Sequence, residues 1–407
     1  MLSKWLDISG YPKKTIINSA CVSILICANC MCWALSFIPG ILFIILLLDE
    51  IVFFVNNRQV PKHMVWTIGI VVFIFIFNFL FVSRGESIIN YFLYFMTMGI
   101  FGYHMGSFSI STKHVILFCS LIGILLIPYL NSINFEYSAI WELFGSDEGG
   151  VSGYRMGISY GTLRMYLAII LALFFYVKRK SLFIILLFGL LFYTKLYINI
   201  ISRGCVVSIL LLLFFITEIK AAHSKKYQIL KLSVLFFLVL GVVFFDSIIA
   251  FMIDVLSGMG FDPFFLTKMV DGASSGDLSN GRSEIYHKAS NDILESPLWG
   301  NGIAAYEERY QEGYIHNYLI QSFYEMGIGA FIYMLILTVV GFKAVLRKRN
   351  NIEVRLFMAF LICSGVIELL FSSTYWRSQV FWVFIGYTTS IIVNRKKNRK
   401  IIPCENP

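Results

Sequence analysis

The chain has 407 residues, of which 58% are hydrophobic and only 14% charged. A soluble chain of this size carries roughly 25% charged residues, so a soluble globular domain is excluded. The formal net charge of +9 would suggest nucleic acid in a soluble protein. Here it comes from basic clusters between apolar runs, and no nucleic-acid partner is expected.

Runs of about 20 apolar residues recur, each long enough to cross a bilayer about 30 Å thick as a helix. Lipid offers backbone amides no partners, so the runs must be helical. The sequence predicts an all-α polytopic membrane protein with about 12 transmembrane helices. The predicted spans are 16–36, 38–55, 64–83, 87–107, 113–130, 159–177, 181–197, 204–219, 229–253, 318–342, 354–373 and 379–394. The first run lacks a small-residue cleavage site and leads straight into a second, so no cleaved signal is expected. Cys27 and Cys30 form a CxxC pair inside the first run, with no second pair or nearby His, and read as ordinary small residues of a span.

The connections set the orientation. With the N-terminus inside, 23 of the 33 basic residues lie on the inner side and 8 on the outer; Arg164 and Lys195 fall within spans. The positive-inside rule therefore predicts that both termini are cytoplasmic. The whole chain, 1–407, reads as one integral membrane domain with two long outer connections, 131–158 and 254–317. The second is a large external loop before the tenth helix. Within it, Ile285, Ala289 and Ile293 recur every four residues from Arg282 to Glu295, a short amphipathic helix that Pro297 stops. Gly300-Asn301-Gly302 is a tight turn.

Chemistry-bearing residues gather around this loop. Arg203 opens the eighth span in Ile-Ile-Ser-Arg-Gly, where it either anchors to lipid phosphate or binds a substrate anion. Arg155 precedes the sixth span and Arg282 starts the amphipathic helix. His316 stands where the loop meets the next span; an imidazole there is either a helix-start hydrogen-bonding group or a proton acceptor working near neutral pH. Glu325 and Glu368 are expected to pair with basic neighbours. Tyr314, Tyr318 and Tyr324 are rings that could stack on a sugar. No Asp-x-Asp motif, nucleophile elbow, P-loop or dinucleotide fingerprint occurs. Any diphosphate must then be neutralised by arginine, whose guanidinium binds it in bidentate fashion.

Four segments carry a resemblance: Ser202-Arg203-Gly204, Asn280-Gly281-Arg282, Pro297-Leu298-Trp299-Gly300-Asn301-Gly302, and His316-Asn317-Tyr318-Leu319 followed by Glu325-Met326-Gly327-Ile328-Gly329. In order and spacing the chain resembles the superfamily of O-antigen ligases and Wzy-type O-antigen or capsular polysaccharide polymerases. It departs in having Asn280 where the family often has Ser. The resemblance implies a GT-C-like fold and a metal-independent inverting glycosyltransferase without cofactors, in the bacterial cytoplasmic membrane. It implies that a glycan on undecaprenyl diphosphate is the donor, that Arg203 and Arg282 bind the diphosphate, and that His316 activates the acceptor hydroxyl. Arg155, Tyr314, Asn317, Tyr318 and Glu325 become candidate substrate contacts. Membrane lipids, a chain-length regulator and a flippase of the same pathway become candidate partners.

Polymerases and ligases share these motifs, so both readings stand, with polymerase preferred. A flippase or other transporter is the alternative of a different class. Against it, only Pro128 falls in the interior of a span and no repeat is visible. Other GT-C transferases often carry an acid in the first external connection; here Phe37–Gly40 is short and has none.

Overall fold

A computed structural model of the chain describes residues 11–34, 41–82, 85–132, 148–200, 202–221, 227–229, 232, 245–260, 282–311 and 313–401. Secondary structure among them is helical, with no strand. In chain order the helices are α1 (Lys13–Ala34), α2 (Ile41–Asn57), α3 (Lys62–Phe81), α4 (Glu86–Tyr94), α5 (Ile100–Gly106), α6 (Thr112–Ser132), α7 (Glu148–Phe175), α8 (Lys180–Ile200), α9 (Arg203–Ala221) and α10 (Phe245–Gly258). After these come α11 (Arg282–Glu295), α12 (Ala305–Tyr310), α13 (Tyr318–Leu346), α14 (Ile352–Leu361), α15 (Glu368–Phe371) and α16 (Gln379–Ile401). A π turn, Phe95–Gly99, joins α4 to α5, and a second, Ile362–Val366, joins α14 to α15.

Seven helical stretches among the described residues are long and apolar enough to cross a membrane: Lys62–Phe81, Thr112–Asn131, Gly157–Phe175, Lys180–Tyr197, Gly204–Ala221, Tyr318–Leu346 and Ile352–Phe371. The chain is a helical, multi-pass membrane protein. The predicted run 229–253 falls largely outside the described residues, as do 133–147 of the first long connection and 261–281 of the second. The connection expected over 131–158 is shortened from its far side, because α7 begins at Glu148.

The centre of the bundle is built on α7, flanked by α1, α6, α8 and α9, and on the α14–α15 segment, which packs against α9, α13 and α16. Residues 157–175 and 352–371 are buried along most of their length, whereas α3 turns nearly its whole surface outward. With Trp66, Phe73, Phe77 and Phe81 exposed, α3 is a lipid-facing wall. Close helix contact comes from small residues, as expected where lipid supplies no hydrophobic drive between helices. A Cβ on Gly106 of α5 would lie 2.3 Å from the Val383 carbonyl oxygen of α16.

The described part of the second long connection, from 282 onward, folds as a cap with a small core of Ala289, Ile293, Tyr306, Ile315 and Tyr324. α11 has the predicted bounds: Ala289 and Ile293 are buried, and Ile285 packs beside them. Beneath it Asp292 accepts hydrogen bonds from the hydroxyls of Tyr310 at 3.1 Å and Tyr324 at 2.9 Å, and pairs with Arg309 Nη1 at 2.7 Å. This carboxylate ties α11, α12 and α13 into one unit.

Candidate functional site

The cap is locked onto α13 by backbone geometry that only glycine supplies. Gly327 interrupts α13 at φ +74°, and a Cβ there would sit 2.1 Å from the Leu298 carbonyl oxygen. Gly300, at φ +77°, would place its Cβ 2.6 Å from the Glu325 carbonyl carbon. The two segments exchange backbone hydrogen bonds: Asn301 N–H to Tyr324 C=O at 2.6 Å, Gly302 N–H to Glu325 C=O at 3.1 Å, and Ile328 N–H to Pro297 C=O at 2.9 Å. Residues with a side chain rarely hold positive φ, which explains why glycines occupy both sides of this joint.

Held by the cap, His316 lies just before α13. Its ring packs against Tyr314 at 4.7 Å between centroids. The Tyr286 hydroxyl of α11 donates to the His316 carbonyl oxygen at 3.4 Å. Tyr314 in turn accepts from the Ser373 N–H at 3.1 Å, which ties this segment to the turn between α15 and α16. The His316 Nδ1 atom is buried and has no hydrogen-bond partner among the described residues. Burial, and then the nearby Arg282 guanidinium, push the imidazole down from 6.5 to about 4. At neutral pH the ring is therefore uncharged and can accept a proton. An unsatisfied buried polar atom costs about 1–3 kcal/mol, so this nitrogen is free to take a bond from water or a ligand.

Two of the candidate arginines open helices. Arg282 is the first residue of α11, and its charge opposes protonation of His316. Arg203 is the first residue of α9. The start of α9 is stitched to α7: Ser202 N–H donates to Ser159 Oγ at 3.2 Å, and Ser202 is hydrogen-bonded to Tyr160. A Cβ on Gly204 would lie 2.2 Å from the Tyr160 hydroxyl. Tyr160 thus fastens the start of α9 to α7. The starts of α9 and α11 and the segment before α13 occupy one end of the bundle.

Arg155 lies on the α7 backbone five residues before Tyr160. The remaining candidates serve the framework. Asn317 caps α13, its side-chain oxygen accepting from the Leu319 N–H at 3.0 Å and the Ile320 N–H at 3.3 Å. Tyr318 is fully buried, hydrogen-bonded to Thr338 at 2.6 Å and edge-on to Phe381, which leaves no ring face for a sugar. Tyr324 is buried on Asp292. Glu325 has neutral donors rather than a basic neighbour: Gln321 Nε2 at 2.8 Å, Trp376 Nε1 at 3.0 Å and the Tyr375 hydroxyl. Of the three tyrosines, Tyr314 alone stands beside His316.

Several residues gain importance only in three dimensions. Glu368 does pair with a base, Arg164, at 3.2 Å, and Arg164 Nη1 also donates to the Ile26 carbonyl at 3.1 Å. Arg164 of this buried pair lies one turn along α7 from Tyr160. Arg377 lies over the rings of Tyr91 and Tyr94, at 5.9 and 5.0 Å. Beside it Glu307 accepts from the Tyr91 hydroxyl, and burial raises its carboxyl above the usual range. A charge inside a span was the available signal for Arg164, since such residues persist only with a partner or a task.

No family model, curated protein or solved structure matches the chain.

Proposed function

We propose that this protein is a polysaccharide repeat-unit polymerase, a metal-independent inverting glycosyltransferase of GT-C-like architecture with about twelve spans and both termini cytoplasmic. It transfers a glycan from undecaprenyl diphosphate in the outer leaflet of a bacterial cytoplasmic membrane to a sugar hydroxyl on a second lipid-linked unit. The observation that carries this reading is a neutral imidazole with an unpaired ring nitrogen, set beside the Arg282 charge at the bundle end where Arg203 opens α9.

In the reaction the acceptor oxygen attacks the anomeric carbon from the face opposite the diphosphate. The bond between that carbon and the phosphate oxygen breaks, and its electron pair leaves with the polyprenyl diphosphate. His316 takes up the hydroxyl proton and later releases it to water. Charge grows on the diphosphate in the transition state, so guanidinium groups carried at the starts of α9 and α11 lower the barrier. Substrate binding also prepares the base: the diphosphate offsets the Arg282 charge that depresses His316, and the imidazole becomes more basic when it is needed.

Deletion of the gene with analysis of surface glycan tests the reading. A glycan shortened to one repeat unit is the expected result. Full-length lipid-linked glycan that fails to reach lipid A core would instead identify a ligase, and loss of outward-facing precursor a flippase.

A further inference from the structure

Two helices serve as independent rulers for where the hydrocarbon of the bilayer ends. α3 has 20 residues, about 30 Å at 1.5 Å per residue, the thickness of the hydrocarbon itself. Its end nearest the cap is Asn78–Val82. There Ile303 N–H donates to Asn78 Oδ1 at 2.9 Å, and a Cβ on Gly302 would lie 2.5 Å from Val82 Cγ1. α13 folds back on itself at Gly327, so that the Tyr318 hydroxyl meets Thr338 at 2.6 Å, and each arm is measured by itself. From residue 328 to 346 it runs about 28 Å and exposes Ile332, Tyr333, Leu335, Ile336 and Val339. From Tyr318 to Gly327 its side chains are buried or half-buried within the protein. Both rulers put the boundary at one level, and both meet there the same segment, Pro297–Gly302.

That segment carries the most exposed tryptophan of the described residues. Trp299 is 86% exposed and Leu298 66%, with Leu294 at the end of α11 78% exposed. In water three such side chains side by side would be costly. At the end of the hydrocarbon they are suited to their surroundings, because leucine dissolves in the acyl chains and indole favours the headgroup boundary. We infer that Leu294, Leu298 and Trp299 form a membrane-inserted finger, which seats the cap in the headgroup boundary of the leaflet bordering the site. The occupant of this apolar surface is phospholipid. The inference follows from helix lengths and exposure and holds whatever reaction the site performs.

The test is fluorescence quenching of the full-length protein in liposomes. The emission lost in Trp299→Phe reports Trp299 alone. That difference signal should be quenched several-fold more strongly by phospholipids brominated near the glycerol end of the acyl chain than by aqueous iodide. Strong iodide quenching with none from brominated lipid would overturn the inference and place the finger in water or against another protein. Should Trp299→Phe unfold the cap, Leu294→Trp in the otherwise native chain gives an added signal with the same two outcomes.

Discussion

His316 is under two influences that both oppose its protonation: it is buried, and Arg282 stands beside it. With a folded value near 4 and an unfolded one near 6.5, the native ring stays neutral where the unfolded ring binds a proton. Its contribution to stability therefore rises with pH across that window and is complete above about 6.5. Arg282→Gln removes the second influence and leaves the first. The His316 resonance in carbon-13-labelled histidine spectra should then titrate at higher pH than in the native protein, though still below an exposed histidine. An unchanged titration would show that the Arg282 charge does not reach the ring. The neighbouring residue carries a different lesson. Asn317 stands in the His316-Asn317-Tyr318-Leu319 motif as a candidate substrate contact, and its side chain also makes the cap expected of an asparagine directly before an apolar helix.

Among the elements, the joint between Pro297–Gly302 and the α13 break explains why two glycine-bearing segments more than twenty residues apart both matter. Gly327→Ala forces a side chain into positive φ against the Leu298 carbonyl oxygen. Strain of this kind costs of order 1–3 kcal/mol before any clash is counted. Thermal unfolding in detergent should fall clearly for Gly327→Ala and hardly at all for Gly329→Ala, where nothing lies within 4 Å of the added Cβ. Equal losses would mean that the joint does not hold the cap. Much of this level was legible beforehand. The bounds of α11, its Ile285–Ala289–Ile293 face and the tight turn at Gly300–Gly302 all follow from local pattern. What the turn packs against did not, because a Cβ clash with Leu298 has no trace in the neighbourhood of Gly327 in sequence. Nor could hydropathy tell Tyr318 and Tyr324, both buried, from Tyr314 at the site; in a chain with 17% aromatics, rings face core and lipid alike.

For the whole molecule, the arrangement depends on a bundle that holds α7, α9 and the α14–α15 segment in register beneath the cap. The Arg164–Glu368 pair is the polar link between α7 and α15. Removing one partner leaves an uncompensated buried charge, which typically costs about 3–5 kcal/mol, whereas replacing both by apolar residues is often close to neutral. Arg164→Met should therefore destabilise the protein strongly in detergent unfolding, and Arg164→Met with Glu368→Leu should recover most of the loss. If the double variant is no better than the single one, the pair is not the link between these helices. The pairing could be expected for Glu368 from its place in a span, but its partner lies 204 residues away in sequence and only the fold brings them together.

The reaction itself is tested by purified protein in liposomes, supplied with a polyprenyl-diphosphate-linked oligosaccharide and an excess of chelator. The account predicts longer lipid-linked glycan and free polyprenyl diphosphate from the native protein, and neither from His316→Ala, which should remain folded and inserted. Elongation by His316→Ala at the native rate, or elongation that stops with chelator and returns with magnesium, would contradict it.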